Sequence, residues 1–319
     1  MKSGVSSANR ETITTFQEGH RVDKESLKSI SEVADQYAIL ANEKNNNSNL
    51  MSTNTSPKHD ALKHKVPYNL EYPSEENALS LFDGEWTCAI PGYTGPGNIG
   101  LFADPRIEWL IKEIGVMNDM NILELGPLEA GHTYMLEKSG ANVLAIEANI
   151  DSFLRCLIVK NLLDLKSKFI LGDFTKGLGQ SNSYELVVAS GVLYHMADPI
   201  SLLEQISQVT SQIFIWTHYF EPDIQKWNPA IQRQVGLKWK VSETKRVNFN
   251  NKIIRIVPQT YGEALGWDGF CGGPETFSNW IYKDDIILIL KELGYRQIKV
   301  NFDQPDHPNG PAFCLIATR

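Results

Sequence analysis

Apolar runs of strand length alternate with helical patterns from residue 121 onward. The runs span 121–125, 142–147, 168–172, 184–190 and 212–218, and helical patterns start at Gly131 and cover 151–163 and 198–210. Because strand followed by helix is the repeating unit of parallel sheets, this alternation predicts an α/β, Rossmann-like, doubly wound fold. A last helix over 284–293 precedes two apolar runs, 296–302 and 312–318, which we expect to form an antiparallel C-terminal edge of a mostly parallel seven-stranded sheet.

The first 66 residues are too polar to build a core of their own. They contain few aromatic residues and a run of Asn, Ser and Thr over 45–56. Chains of this composition bury little apolar surface. Apolar residues recur at three- and four-residue spacing over 23–44, which predicts one amphipathic helix. We therefore expect residues 1–66 to be a polar, partly disordered segment with one helix.

Three further divisions follow from the pattern. Residues 67–120 are rich in Pro, Gly, Tyr and Trp, which predicts ordered loops and short helices. The core is expected over 121–218 and 284–319. The interval 219–283 is too long for a simple connection, so we expect an inserted substrate cap. It holds four of the seven tryptophans. They favour an aromatic wall on a flexible insertion, or else the small core that such an insertion needs.

Composition narrows the class of protein. The chain has 319 residues, 42% hydrophobic and 21% charged, as expected of a soluble globular protein. Its net charge of −8 disfavours binding to nucleic-acid phosphates. The four cysteines form no CxxC pair, so reduced thiols are expected. The sequence shows neither a signal peptide nor an apolar stretch long enough to cross a membrane, which predicts a cytoplasmic protein.

The segment 121–133 predicts a ligand-binding turn between a buried strand and a helix. Gly126 permits a tight turn, and Gly131 permits a close approach of the helix to a strand or ligand. The free N–H groups of that helix would lie at the carboxyl edge of the sheet, where nucleotide-like ligands bind. Glu147 ends the second strand, where an acid can bind both hydroxyls of a ribose. These features fit either a dinucleotide or S-adenosylmethionine.

Two details favour S-adenosylmethionine. A dinucleotide loop needs G-x-G-x-x-G for close contact with a pyrophosphate, whereas this sequence has Leu128 at the middle glycine and Glu129 beside it. We expect these side chains to crowd and repel a pyrophosphate. Glu124 on the first strand adds negative charge, which suits a sulfonium and an amino group better than a phosphate.

Four motifs extend the comparison to a known family. They are ILELGPLEAGHT (122–133), AIEAN (145–149), LGDF (171–174) and ELVVASGVLYHMADP (185–199). In order and spacing they resemble the motifs of class I S-adenosylmethionine-dependent methyltransferases, over about residues 121–218. The GVLYHMADP segment resembles a bacterial branch that includes small-molecule methyltransferases and tRNA wobble-uridine modifying enzymes. The chain departs from many members at Leu128, where they have glycine.

The resemblance implies S-adenosylmethionine as cofactor and a set of residues that hold it. Glu147 would bind the ribose, Asp173 would accept from the adenine amino group, and Phe174 would pack near the adenine ring. The implied cofactor residues are Glu124, Gly126, Pro127, Gly131, Glu147, Ala148, Asp173, Phe174, Ser190 and Gly191.

Direct displacement of the methyl group needs alignment of the reacting atoms, and it needs a base only if the acceptor arrives protonated. His195 and His218 end the fourth and fifth strand regions, so they are candidate catalytic residues; His195 equally suits a role in orienting the loop or the cofactor, and His218 also suits a contact with the substrate. Candidate substrate contacts are Tyr93, Tyr194, Tyr219 and Trp267. His132 is interpreted as a cofactor-loop residue and His307 as a turn residue. The sequence has no compact metal-ligand spacing, and no metal is expected.

The leading hypothesis is methyl transfer from S-adenosylmethionine to a small or medium-sized metabolite, bound between the strand ends and the aromatic cap. Modification of tRNA or another RNA is an alternative, opposed by the lack of a dense Lys/Arg cluster. A non-catalytic module that binds the cofactor or a partner protein is another, since fold alone does not establish catalysis. A nicotinamide-dependent oxidoreductase is disfavoured by the loop. The acceptor atom and the oligomeric state stay open.

Overall fold

The computed structural model places Leu70–Arg319 in one compact unit. It describes residues 69–115, 117–178, 183–223, 239–266 and 272–319. The predicted helix over 23–44 and the candidate Trp267 lie outside the described residues. Within those ranges, no helix is long and apolar enough to cross a membrane.

The main sheet has the predicted architecture. The strands are β1 Asn121–Leu125, β2 Asn142–Glu147, β3 Lys168–Leu171, β4 Leu186–Ser190, β5 Gln212–His218, β6 Lys245–Phe249, β7 Lys252–Thr260, β8 Phe277–Ile281, β9 Gln297–Gln304 and β10 Ala312–Thr318. Seven of them form one sheet in the order β3-β2-β1-β4-β5-β10-β9. Strands β1 to β5 are parallel, and β10 pairs antiparallel with β5 and β9. The prediction of a mostly parallel seven-stranded sheet with an antiparallel edge is confirmed.

The centre of the sheet fixes where a ligand can bind. Strand β1 lies between β2 and β4, with Leu123 opposite Leu144 on one side and Val187 on the other. The strand order reverses at β1, and ligands of open α/β sheets bind at the carboxyl edge of such a point. That edge collects the loop after β1, the acid that ends β2 and the segment that follows β4.

The α-helices are α1 Glu76–Leu79, α2 Pro105–Ile114, α3 Gly131–Lys138, α4 Ile150–Leu162, α5 Pro199–Val209 and α6 Lys283–Glu292. Three of these begin after a residue whose side chain caps them. Asp104, Asn149 and Asp198 precede α2, α4 and α5, and each side chain accepts a backbone N–H from the first turn. Such caps satisfy amides that a helix leaves free, and proline at the first position of α2 and α5 is already in helical geometry. The predicted helices therefore agree with the observed ones to within a residue or two.

The insertion between β5 and α6 contains a second, antiparallel sheet in the order β6-β7-β8. Asn279 on β8 anchors it to the core: its N–H donates to the carbonyl of Met196 at 2.9 Å, and its Nδ2 donates to that of Ala197 at 2.5 Å. Strands β6, β7 and β8 thus give the insertion a hydrogen-bonded sheet, and its role as a substrate cap stays a prediction.

The two faces of the main sheet pack against different layers. Side chains alternate along a strand, so neighbours in sequence face opposite sides. Ile215 on β5 and Tyr219 just after it belong to the apolar cluster shared with α5, α6 and the inserted sheet. Phe214 and Trp216 pack in the other cluster, with Ile107 of α2 and with residues of α3. This alternation places Trp216 and His218 on the side of α2.

Candidate functional site

The loop after β1 turns through three residues in the left-handed region. Gly126, Leu128 and Ala130 have φ of 65°, 56° and 60°. Left-handed backbone is easy for glycine but costs other residues about 1–3 kcal/mol, so surrounding contacts must hold it in place. The N–H of Gly126 donates to the carbonyl of Ile146 at 2.9 Å. Leu128 therefore takes a left-handed conformation of the kind that the expected glycine would adopt easily.

Glu147 is the contact that holds this loop at the carboxyl edge. Its carboxylate accepts the N–H of Leu128 at 3.2 Å and that of Asn149 at 2.9 Å. Burial raises the pKa of Glu147 above its usual value, while these hydrogen bonds oppose the shift. The structure places Glu147 beside Gly126 to Leu128, next to exposed Ala148. This arrangement brings the acid and the loop together, as the sequence predicts.

Glu129 has a role that sequence reasoning missed. It is fully buried, and its carboxylate accepts the N–H groups of Thr87 and Cys88, at 3.0 Å and 2.8 Å. The Nε of Arg155 in α4 lies 3.2 Å from the same carboxylate. The charge is thus turned away from the carboxyl edge and paired. The expectation that Glu129 would repel a pyrophosphate is wrong.

Two other loop candidates contact protein in this structure. Glu124 is 2% exposed, and Thr133 donates its hydroxyl proton to the Glu124 carboxylate at 2.5 Å. Burial raises the pKa of Glu124. At Gly131 an added Cβ would lie 2.7 Å from the Cβ of Leu101 and 2.8 Å from its carbonyl carbon. The close approach predicted for Gly131 is therefore to the segment before α2.

The segment after β3 completes the cofactor side of the edge. The N–H of Gly172 donates to the carbonyl of Glu147 at 2.8 Å. Asp173 is partly exposed and caps a short 3-10 helix by accepting the N–H of Thr175 at 2.9 Å. Phe174 is buried in the core cluster. Asp173 and Glu147 thus follow neighbouring strands at one edge, as expected from the topology.

An aromatic cluster occupies the carboxyl ends of β4 and β5. Its members are Tyr194, His195, Trp216, His218 and Trp280. The Tyr194 ring lies 4.1 Å from that of His195 and 4.6 Å from that of His218, between ring centroids. His218 stacks on Trp280 of the inserted sheet, with centroids 5.4 Å apart and planes at 8°. The core and the insertion together build this wall.

Gly191 joins the two halves of the edge. It follows Ser190 at the end of β4, has φ of 83° and donates its N–H to the carbonyl of Trp216 at 2.9 Å. A Cβ on Gly191 would lie 3.8 Å from the Trp216 ring and 3.9 Å from the Tyr194 hydroxyl. The segment expected to border the methyl group is therefore in contact range of the aromatic cluster.

A polar network links the loop helix to this cluster. Arg106 places its guanidinium 4.2 Å above the centre of the Trp216 ring and binds the carboxylate of Asp104. The same carboxylate contacts Nε2 of His132 at 2.9 Å. These contacts hold the pKa of Asp104 well below its usual range despite burial. The alternation of side chains along β5 puts Trp216 on the same face as His218, so the sequence could have predicted Trp216 as a site residue. No local sequence pattern predicted the position of Arg106.

The two candidate catalytic histidines are buried in different ways. His195 Nδ1 lies 2.9 Å from the hydroxyl of Tyr261. His218 Nδ1 lies 2.8 Å from the carbonyl oxygen of Gly310 and 3.3 Å from that of Pro311. Burial lowers the pKa of His195 and that of His218 to about 4 each. Both imidazoles are neutral near pH 7 and able to accept a proton.

Of the remaining candidate residues, Tyr219 and Tyr93 lie away from the aromatic cluster, whereas His307 lies next to it. Tyr219 is 4% exposed in the core, and its ring packs against Phe313 on the face opposite His218, so the structure does not group it with the cluster. Tyr93 donates its hydroxyl proton to Glu75 at 2.5 Å, in the segment before β1. The interpretation of His307 as only a turn residue is incomplete, because its ring lies 5.0 Å from that of His218. In the ranges that the structure describes, no three His, Cys, Asp or Glu side chains group as metal ligands.

Comparison with known proteins gives structural relatives only. No protein-family model matches the sequence, and no curated protein does. The crystal structure of the N-terminal domain of EvdMO1 with SAH (S-adenosylhomocysteine) bound is 18% identical, with a TM-score of 0.56 over 77% of this chain and 94% of that one. The same domain in the presence of SAH and D-fucose gives a TM-score of 0.55, with the same identity and coverage. This chain has the class I methyltransferase fold.

Magnesium protoporphyrin IX methyltransferase from Synechocystis PCC 6803, with bound SAH, is 13% identical, with a TM-score of 0.45 over 68% of this chain and 81% of that one. At these identities the likeness concerns the fold, and the chemistry must come from the residues of this chain.

Proposed function

We propose that this protein binds S-adenosylmethionine and transfers its methyl group by direct displacement to a small or medium-sized metabolite. The observation that carries the proposal is that the segment after β4 contacts two different surfaces: an added Cβ at Gly126 would lie 3.2 Å from Cγ2 of Val192, and one at Gly191 would lie 3.8 Å from the Trp216 ring. On one side lie the left-handed loop and Glu147. On the other lie the rings of Tyr194 and Trp216. One surface suits a ribose and the other an organic acceptor, and the reaction needs both to meet.

The residues of the carboxyl edge fit the cofactor. Glu147 ends β2 at this edge, and each of its carboxylate oxygens accepts one backbone N–H and keeps a further lone pair, which suits a ribose diol. We assign adenine contacts to Asp173 and Phe174, which follow the neighbouring strand. Gly126 and Gly191, at the ends of β1 and β4, have positive φ values that glycine adopts easily. When bound, S-adenosylmethionine supplies a methyl group activated by a sulfonium.

The acceptor would lie against the aromatic cluster, with residues 219–283 as its cap. Tyr194 and Trp216 offer flat apolar surfaces, while Trp280 closes the side towards the inserted sheet. Rings of this kind hold a rigid small molecule by its apolar faces. The study of the EvdMO1 domain in the presence of D-fucose is in keeping with an acceptor of that size. Orientation of a bound acceptor provides much of the barrier lowering in displacement reactions.

Calorimetric titration of the protein with S-adenosylmethionine, S-adenosylhomocysteine and NAD tests the proposal. We expect binding of the first two, and no binding of NAD. Glu147→Ala should weaken the binding of S-adenosylhomocysteine by about 1.5–3 kcal/mol, which is the contribution of a hydrogen bond to a charged group. Glu137→Ala is the control, since that carboxylate serves Lys166 and Ser167 on another surface. Binding of NAD alone would overturn the proposal.

A further inference from the structure

The two buried histidines of the aromatic cluster differ in what their Nδ1 atoms contact. The partners of His218 are the backbone carbonyls of Gly310 and Pro311. Carbonyl oxygens only accept hydrogen bonds, so Nδ1 of His218 must carry the proton. In the neutral ring the lone pair is then on Nε2. The turn between β9 and β10 thus fixes the tautomer of His218.

The same carbonyls stabilise the protonated ring. A hydrogen bond from an imidazolium N–H to a carbonyl is stronger than one from the neutral ring. These two contacts raise the pKa of His218, against the larger lowering by burial and by the neighbouring His307 and Arg106. A proton that arrives at Nε2 therefore meets a ring whose opposite nitrogen is already held by two acceptors.

His195 lacks this arrangement. Its Nδ1 lies 2.9 Å from the hydroxyl of Tyr261, which also donates to the backbone carbonyl of His195 at 3.4 Å, so Nδ1 contacts a hydroxyl rather than two backbone carbonyls. The named influences on the pKa of His195, burial first and then His218, all disfavour its charged form. The ring of His195 lies 4.1 Å from that of Tyr194, with the planes tilted by 41°, which suits a role in positioning that aromatic surface.

The charges around the cluster discriminate between acceptor groups. Arg106 lies over Trp216 and faces His218, whereas both oxygens of Asp104 are engaged by Arg106 and His132. An amine acceptor is a cation at neutral pH. To bind here it would have to lose its hydration and lie beside a guanidinium and two neutral imidazoles, which is unfavourable. A hydroxyl arrives uncharged and needs only to lose its proton to a neutral base.

We propose that the acceptor group is a hydroxyl and that Nε2 of His218 takes its proton, while His195 positions Tyr194. The proposal rests on the proposed function. The O–H bond breaks and its proton passes to His218. The oxygen forms a bond to the methyl carbon, and the carbon–sulfur bond breaks with its electron pair going to sulfur. S-adenosylhomocysteine and a methyl ether are the products, and the proton then returns to water.

The atom that receives the methyl group can be identified even when the acceptor molecule is unknown. The protein is incubated with [methyl-¹³C]S-adenosylmethionine and a metabolite extract of the cells that make it, and the labelled product is examined by NMR. A ¹³C signal in the O-methyl region is expected. A label on nitrogen or carbon would overturn the hydroxyl assignment and leave the proposed function standing. No transfer of label to any molecule would instead count against the proposed function.

The base is tested by a matched pair of variants. His218→Asn keeps an N–H donor near the position of Nδ1 and removes Nε2, and His195→Asn makes the same change on the neighbouring ring. Loss of a general base lowers turnover about 10²- to 10⁴-fold. We expect that loss in kcat for His218→Asn with an unchanged affinity for S-adenosylhomocysteine, and a smaller loss for His195→Asn that falls mainly on KM. Equal losses in kcat would overturn the assignment.

A measurement on the unaltered protein guards against a variant that fails to fold. The ¹⁵N chemical shifts of the His218 ring, recorded at pH 7, report which nitrogen carries the proton. A protonated Nδ1 and an unprotonated Nε2 are expected. A proton on Nε2 of the neutral ring would contradict the proposal whatever the variants do.

Discussion

Burial of His218 makes the stability of this protein depend on pH in a way that one substitution should remove. In the folded protein burial lowers the pKa of His218 to about 4, against 6.5 for the ordinary side chain. Between these values the unfolded chain binds a proton that the folded protein does not. The free energy of unfolding therefore falls as the pH falls below about 6.5, and the loss levels off below about 4.

The size of the effect follows from the two pKa values. On going from pH 7.5 to pH 4.5, His218 alone should reduce the free energy of unfolding by about 2–3 kcal/mol. His218→Asn keeps a donor for the Gly310 carbonyl and titrates no proton, so it should lack this part of the loss. The buried acids Glu124 and Glu147, whose pKa values burial raises, oppose the trend equally in both proteins.

Urea unfolding, followed by tryptophan fluorescence at both pH values, measures the difference. The quantity of interest is the loss between pH 7.5 and 4.5 in the unaltered protein minus that in His218→Asn. The value at pH 7.5 serves as the internal control, because the ring is neutral there in both states and only packing is changed. If the two proteins lose the same free energy within about 0.5 kcal/mol, the reasoning about His218 is refuted.

Two further predictions concern the loop after β1. Gly131→Ala should lower the free energy of unfolding by about 1–3 kcal/mol, because the added Cβ would lie 2.8 Å from the carbonyl carbon of Leu101. Gly172→Ala is the control: its Cβ would have no atom within 4 Å, so the free energy of unfolding should change by less than about 0.5 kcal/mol. Glu129→Gln should cost about 3 kcal/mol, because the buried Arg155 guanidinium would keep only the carboxylate of Glu85, 3.6 Å away, and Glu137→Gln, at a partly exposed site, should cost less. Urea unfolding of the four variants checks both, and equal effects within either pair would contradict the corresponding prediction.

The main sheet could be predicted from the sequence because a local residue pattern indicates each of its strands and helices. Period-two and period-3.6 patterns and caps such as Asn149 and Asp198 depend on residues a few positions apart. The edge where Gly126 and Glu147 meet follows from strand order, since parallel strands present their carboxyl ends together. The loop, the acid and the histidines at strand ends were therefore predictable.

Contacts between residues distant in sequence were not predictable in this way. Glu129 was expected to face a ligand, but its partners are Thr87 and Cys88, 42 and 41 positions away. His307 has the sequence context of a turn, and its approach to His218 depends on how β9 and β10 complete the sheet. A single sequence shows neither pairing, because no local pattern encodes which buried charge meets which amide.

The segment before β1 illustrates how such distant contacts shape the site. Thr87 binds the carboxylate of Glu129 inside the loop, Leu101 lies against Gly131 at the start of α3, and the cap of α2 binds His132 one residue later. These contacts brace the loop from the side away from the edge. They supply the constraint that left-handed Leu128 needs in place of glycine. Leu128 can thus keep the left-handed conformation without being glycine, because contacts from a neighbouring segment hold the loop in place.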